Sequence, residues 1–428
     1  MIKNNSLVTG LDIGSAKTAI CAGGLDPEGR VEIYAAVMVK TRGIERGVIS
    51  DPGEAAGCVE EALKKLEHKL SGTTRCRSLY GRKKAKINSV FLAIGGDHIL
   101  GNNTKGVYTL SHRATQISRR DRHLAIESAK SLTTAIDREI LHAIAQEFVV
   151  DGYKKIKDPL GVYGTRLGVR MHIVTAGLPF VTNMINSVNR AGLDVDGVVY
   201  SGFAGSMVML TEHERHSGVI FLECGAGTIN ILFFNEGALQ YTNVIPVGGD
   251  DITMRVAERF GVDFAQAEEL KMQYKSLSSY LSVKSDWGED KIIIKKDSAR
   301  YESITRSELT SVIDEKLKDI LSLIKKELEL SGLISRANSG IIMSGGMAFM
   351  DGIIEKTEEM LGRSVTLGIM RGFISSMEGV GNAFYAGGIG VIMHALKEQK
   401  EAVLNIYPQQ GILGRLATKV KNVYYEYF

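Results

Sequence analysis

The 428-residue sequence predicts an α/β protein of two lobes built on one plan, with an inserted subdomain and a C-terminal amphipathic helix. Three observations predict it. A strand-turn-strand at Ser6 to Ile20 recurs in form about 210 residues downstream at Val219 to Phe234, Leu11-Asp12-Ile13-Gly14-Ser15-Ala16 being answered by Leu222-Glu223-Cys224-Gly225-Ala226-Gly227. From about residue 85 to Thr165 the composition shifts toward Arg, His and Ser, as in an insertion. From Gly411 onward apolar residues recur at helical spacing on one side only.

Composition narrows the possibilities. A chain of this length holds two or three domains at about 150 residues each. Hydrophobic residues make up 44% and charged residues 24%, with 47 Gly against 6 Pro, which suits a globular protein rich in tight turns. A net charge of +3, with no basic cluster interleaved with aromatics, argues against a nucleic-acid partner. Cys21, Cys58, Cys76 and Cys224 are scattered, with no Cys-x-x-Cys pair or neighbouring His, so neither zinc nor a disulfide framework is indicated and a reducing compartment fits. Met1 to Ser6 lacks a signal pattern, and no run of about 20 apolar residues spans a bilayer.

The elements follow in order. After the first hairpin come a strand at Val31 to Val39 and a helix at Pro52 to Leu70 with apolar Ala55, Val59, Ala62, Leu63 and Leu66 on one face. A basic stretch, Arg75 to Lys86, precedes the strand Ser89 to Ile94. Within the insertion, Arg119 to Ser131 reads as a helix and Pro159 to Gly161 as a turn. Strand Arg170 to Ala176, helix Val181 to Ala191 and strand Asp196 to Tyr200 resume the main pattern. Beyond the second hairpin, Asp251 to Ala267 is helical and Lys284 to Lys296 hairpin-like. Thr305-Arg306-Ser307-Glu308 is a capping box opening a long helix through Leu328. A strand Gly340 to Met343, a turn Ser344-Gly345-Gly346, a helix Gly352 to Leu361 and a glycine-rich helix start at Val380 to Gly390 complete the body, with Lys397 to Gln410 a polar linker.

The chemistry lies in the turns. There is no P-loop and no dinucleotide fingerprint, so phosphate must be held another way. Gly14, Ser15, Ala16 and Lys17 form a turn whose small residues let backbone N–H groups face an anion, while Asp12 at the strand end can hold magnesium through water. A plain hairpin turn would look the same. Gly225, Ala226, Gly227 and Thr228, bounded by Glu223, repeat the arrangement, and Ser344-Gly345-Gly346 makes a third turn on which a flat base could lie.

With these residues the chain resembles the actin/Hsp70/sugar-kinase superfamily and, within it, the FtsA family of bacterial division actins. The first phosphate motif is similar to Gly10 through Lys17, the second to Leu222 through Asn230, the connecting segment to Ile245 through Ile252 (with Gly248, Gly249 and Asp250), and the adenosine motif to Ile341 through Gly346 with Gly352. Segments particular to FtsA match Arg42-Gly43 through Val48-Ile49, Glu127 to Lys130, Ile144 to Phe148 and Lys157 to Gly161. The resemblance implies an actin-like two-lobed fold of duplicated mixed-sheet subdomains: a first lobe at 6–84, 165–200 and 372–396, an inserted subdomain at 85–164, a second lobe core at 201–248 and 325–371 with an outer subdomain at 249–324, a linker at 397–410 and a membrane-targeting helix at 411–428. It also implies ATP and Mg as cofactors, self-association into filaments, the C-terminal tail of FtsZ as a partner on the outer subdomain with Arg306 a candidate contact, and later division proteins on the insertion.

The second phosphate motif departs from the family pattern. Glu223 and Asn230 stand where the family has Asp, and Ala226 where it has Gly. These changes spare the amides but weaken the positioning of an attacking water, so very slow or absent hydrolysis is expected, with benign drift the plain alternative.

At about 100° per residue Leu413, Leu416, Val420, Val423, Tyr424, Tyr427 and Phe428 share one arc of the tail, bordered by Lys419 and Lys421. That pattern fits a helix lying on anionic membrane lipids; the alternative, a helix docked on its own body, is disfavoured by the linker before it, the border lysines and the terminal aromatics. The combined expectation is an ATP-binding, polymerising membrane adaptor at the cytoplasmic face of the inner membrane and the division septum, tethering FtsZ. The alternatives are a PilM-like pilus-assembly adaptor, which the amphipathic C-terminus disfavours, and a sugar-kinase or polyphosphatase enzyme, for which Asn230 removes a candidate base.

Overall fold

The structure is a computed structural model describing residues 7–73, 85–132, 135–274, 291–296 and 300–404. Two sheets carry it, and they share one plan. In the first, Val8–Ile13, Lys17–Leu25 and Val31–Lys40 form an antiparallel meander, and Ser89–Ile94 then Asp194–Tyr200 add in parallel on the other side of the first strand. In the second, Val219–Cys224, Ile229–Asn235 and Ala238–Ile245 make the meander, and Ile341–Ser344 then Val365–Leu367 add in parallel. Phe373–Ile374 extends the first sheet beside Val31–Lys40.

Local chemistry explains the helices flanking these sheets. Asp51 caps Pro52–Ser71 by accepting from the Gly53 and Glu54 amides, and Ala55, Val59, Ala62 and Leu66 are buried against the sheet. Thr305 and Glu308 form the reciprocal box that starts Arg306–Leu330, whose Leu309, Ile313, Leu317, Ile320, Ile324 and Leu328 line the second core. The lobes meet along two helices, Ser201–Met209 and Ala386–Leu404. They approach so closely that a Cβ at Gly390 would stand 1.9 Å from the Ala204 carbonyl oxygen, which is why the second begins with a run of glycines.

The insertion is a four-stranded antiparallel sheet, in the order Lys154–Ile156, Arg138–Val150, Arg166–Gly177, Leu100–Thr109, covered by helix Arg119–Ser131. Ile117, Ala125, Phe148, Leu167, Val169 and Met171 form its own core. It also touches the second lobe: His172 bonds Thr242 Oγ1 through Nε2 and Asn103 Oδ1 through Nδ1, each at 2.9 Å, and Asn103 Nδ2 donates to the Gln240 carbonyl at 3.0 Å.

Several expected boundaries move. Ser89–Ile94 pairs with Val8–Ile13 and Asp194–Tyr200 inside the first lobe, so the insertion starts after it and not at residue 85. Arg166–Gly177 bonds to two insertion strands, so the insertion continues past 164. Helix Arg306–Leu330 runs unbroken through the boundary drawn at 324 and 325. Helix Ala386–Leu404 extends beyond Lys397, where a linker was expected, because Glu, Gln, Lys and Ala sustain a helix as well as a linker. Strands Leu100–Thr109 and Arg138–Val150 were not anticipated; the first is an edge strand exposed on most of its length, so it carries little apolar alternation. Most of the basic stretch from Arg75 and the start of the Lys284 hairpin lie outside the described residues, as do the last residues of the linker and the whole tail, with Leu413, Leu416, Lys419, Val420, Lys421, Val423, Tyr424, Tyr427 and Phe428.

Candidate functional site

The two hairpins end in the same turn. Gly14 N–H donates to the Lys17 carbonyl at 2.9 Å, and Gly225 N–H to the Thr228 carbonyl at 2.9 Å. The tips meet at the lobe junction, where a Cβ on Gly227 would lie 2.8 Å from Ser15 Oγ. The third turn stacks behind the second. Ser344 pairs in register with Glu223, and Gly345, at φ +88°, presses on the Cys224 carbonyl, which an added Cβ would approach to 2.3 Å. The connecting loop closes over the same turn: Gly249 N–H donates to the Gly225 carbonyl at 3.0 Å and Asp250 N–H to the Ala226 carbonyl at 2.8 Å, and Gly248 leaves no room for a side chain beside Ala226.

Two acids lie beneath these turns. Asp12 stands against Gly387 in the first turn of Ala386–Leu404, and Glu223 against Gly205 in Ser201–Met209. Burial raises the Asp12 pKa, an effect eased by the Lys17 ammonium 3.8 Å away, which also donates to the Phe384 carbonyl. Burial and then the charge of Asp12 push Glu223 up to about 7, against a hydrogen bond of 2.7 Å from Asn230 Nδ2 to its Oε2. Burial, with Glu223 beside it, also holds the Tyr200 phenol well above its ordinary value. Asp250 is raised, first by burial, with Lys271 opposing.

The junction has the features an anionic ligand needs. Among the described residues the N–H groups of Ser15, Ala16, Ala226 and Gly227 have no hydrogen-bond partner, and the buried Asn230 Oδ1 and Tyr200 hydroxyl have none either. Bare amides on two facing turns are donors that an anion such as phosphate can accept from. No group of three or more His, Cys, Asp or Glu among the described residues is arranged to hold a metal, so any magnesium here would rely on Asp12 together with ligand phosphates, a common arrangement for that ion.

The chain thus brings together Asp12, Gly14 to Lys17, Glu223, Gly225 to Thr228, Gly248 to Asp250 and Ser344 to Gly346. Arg306 lies elsewhere, at the start of the long outer helix, where it donates to the Gln273 carbonyl at 3.0 Å. Sequence reasoning missed Glu268 and Lys271, paired at 2.6 Å, with Lys271 Nζ also 3.1 Å from the Gly249 carbonyl and 2.8 Å from Thr253 Oγ1. Their i, i+3 spacing on Phe264–Met272 was the available signal. Phe349 and Phe384 rings, 5.9 Å apart, bridge the third turn to the first lobe, which no local pattern announces.

Comparison with known proteins agrees with this architecture. The model described as "SHS2 domain inserted in FTSA" matches residues 96–175, the insertion as the hydrogen bonds delimit it, and that of "Cell division protein FtsA" matches residues 220–390. Cell division protein FtsA of Buchnera aphidicola subsp. Baizongia pistaciae is 30% identical over 81% of this chain and 80% of its own, and that of Pseudomonas aeruginosa 28% identical over 94% and 92%. Among solved structures, a PilM-PilN type IV pilus biogenesis complex superposes with a TM-score of 0.63 at 14% identity over 92% of this chain and 99% of that one. MreB5 of Spiroplasma citri bound to ADP gives 0.50 at 14% over 94% and 99%. The fold is actin-like, and the chain belongs to the FtsA family of cell division proteins.

Proposed function

We propose that this cell-division protein binds ATP with magnesium in the cleft between its lobes and acts as a polymerising adaptor that tethers FtsZ to the cytoplasmic face of the membrane at the septum. The observation that carries the nucleotide reading is the convergence of three glycine turns, two with unpaired amides, over Asp12 at the lobe junction. In this reading the adenosine lies on Ser344 to Gly346, the phosphates on the amides of Ser15, Ala16, Ala226 and Gly227, and Lys17 leaves the Phe384 carbonyl to meet them. Magnesium, when bound, would neutralise phosphate charge, with Asp12 the residue to orient it. Hydrolysis is slow because Asn230 cannot take a proton from water, and Glu223, raised to about 7, is a partly protonated acid engaged with Asn230.

A filled cleft would favour the closed form able to assemble. The outer subdomain, with Arg306 at its helix start, would receive the acidic FtsZ tail, and the insertion would meet neighbouring protomers or later division proteins. No helix among the described residues is long and apolar enough to cross a membrane, and the tail from Gly411 is proposed to attach to anionic lipids instead. A pilus-assembly role rests on shared fold alone.

The nucleotide reading is tested by titrating a fluorescent ATP analogue with magnesium into the wild type and Gly345→Val. Valine needs space that Cys224 occupies and a backbone it rarely adopts, so binding should vanish while the far-UV circular dichroism of the whole chain persists. Unchanged affinity would remove the cleft assignment.

A further inference from the structure

One motif of the sequence has no part in the function above. Ile44–Glu45 and Val48–Ile49 pair as a miniature antiparallel hairpin with Arg46 and Gly47 at its tip, at φ +50° and +80°. Two left-handed residues make a type I′ turn, whose first position favours Asn or Asp. An arginine there adopts a conformation its Cβ disfavours, and nothing within the turn compensates.

The position of the tip accounts for the side chain. Gly47 N–H donates to Ser15 Oγ at 3.3 Å, and a Cβ on Gly227 would fall 2.8 Å from Arg46 Cα and 3.0 Å from Arg46 N. The arginine backbone is therefore wedged where the two phosphate turns meet. Its guanidinium then crosses between lobes, Nη2 lying 2.9 Å from Asp251 Oδ1, while the other oxygen of Asp251 accepts from Gly248 N–H at 2.8 Å. Arg46 is half exposed, and such an ion pair is weak enough to exchange. A guanidinium binds a phosphate through two parallel hydrogen bonds, which a single contact to one carboxylate oxygen does not match.

The turn Ser344 to Gly346 sits behind the second hairpin, so phosphates running from a base placed there end at the meeting of Ser15 and Gly227, beside Arg46. We propose, resting on the nucleotide-binding reading, that Arg46 distinguishes a nucleoside triphosphate from a diphosphate by moving from Asp251 to the terminal phosphate, and so exchanges an interlobe latch for a ligand contact.

The test titrates fluorescent ATP and ADP analogues, at fixed magnesium, into wild type, Arg46→Asn and Asp251→Asn. Asparagine at 46 suits the turn, so the melting temperature should hold or rise. Arg46→Asn should weaken ATP about tenfold and ADP less than twofold. Asp251→Asn, which frees the guanidinium, should keep or increase the ATP preference even if the first variant folds poorly. An equal change for both nucleotides in Arg46→Asn, or loss of the ATP preference in Asp251→Asn, would overturn the assignment of Arg46 while leaving the cleft intact. A wild type that binds neither nucleotide would overturn the cleft reading itself, and this inference with it.

Discussion

Replacing Glu223 by Gln should change how stability depends on pH, by an amount the structure lets one work out. Glu223 lies at the lobe junction with its pKa moved from an ordinary 4.5 to about 7, first by burial and next by the charge of Asp12. Because the folded value is the higher, the folded protein holds a proton between pH 4.5 and 7 that the unfolded chain has released, and stability falls as pH rises through that window. At about 1.4 kcal/mol per pH unit the loss reaches about 3 kcal/mol and levels off above pH 7. Gln keeps a carbonyl oxygen to accept from Asn230 Nδ2 and has no charge to bury. The variant should therefore gain on the wild type steadily from pH 4.5 and hold an advantage of about 3 kcal/mol at pH 8, while differing little at pH 4. Urea denaturation of both proteins, free of nucleotide and magnesium, followed by circular dichroism at pH 5, 6, 7 and 8, measures this difference, and titrations common to both proteins cancel. A difference that stays constant from pH 5 to 8 would refute the reasoning, since it would mean that Glu223 is ionised throughout.

Two further outcomes follow from the proposed function. Steady-state phosphate release from ATP should stay well below about one per second, the lower range of kinases, and a rate at or above it would favour an enzyme of the same superfold. Removing residues 411–428 should leave a folded protein that no longer sediments with anionic vesicles; Leu416→Glu should release the full chain likewise, and Asn422→Glu should weaken it only slightly, because the first puts a charge in the apolar arc and the second in the opposite, polar arc, which at helical spacing holds Arg415, Thr418, Asn422 and Glu426. Equal effects from the two point changes would mean that charge alone governs attachment.

Features set by short-range chemistry are legible in the sequence. The turns Gly14 to Lys17 and Gly225 to Thr228, the strand Ser89–Ile94, the helix Arg119–Ser131 and the Thr305–Glu308 box depend on neighbours within a few residues, so their chemistry is written in contiguous sequence. The edge strand Leu100–Thr109 was invisible because little of it is buried, and alternation is the signal a strand otherwise gives. The limits of the insertion were misplaced for a related reason: Ser89–Ile94 and Arg166–Gly177 are both ordinary strands, and only their hydrogen-bond partners say to which sheet each belongs.

The second phosphate motif shows the division most clearly. Read along the chain, Glu223, Ala226 and Asn230 were three separate departures from a pattern. Folded, antiparallel pairing sets residue 223 opposite 230, and the amide donates to the carboxylate, so two of the three changes form one compensated pair that an aspartate at 230 would turn into a repulsion. By itself the sequence determined the two-lobed plan, the turns and the family resemblance, because these rest on short-range backbone preference and on ordered motifs. Only the tertiary structure decided that Arg46 would reach Asp251, that Lys17 would rest on Phe384, and that turns separated by some 210 and then 120 residues would converge on one point, two of them with bare amides, because closing such loops is repaid by lobe-to-lobe packing that no local pattern encodes.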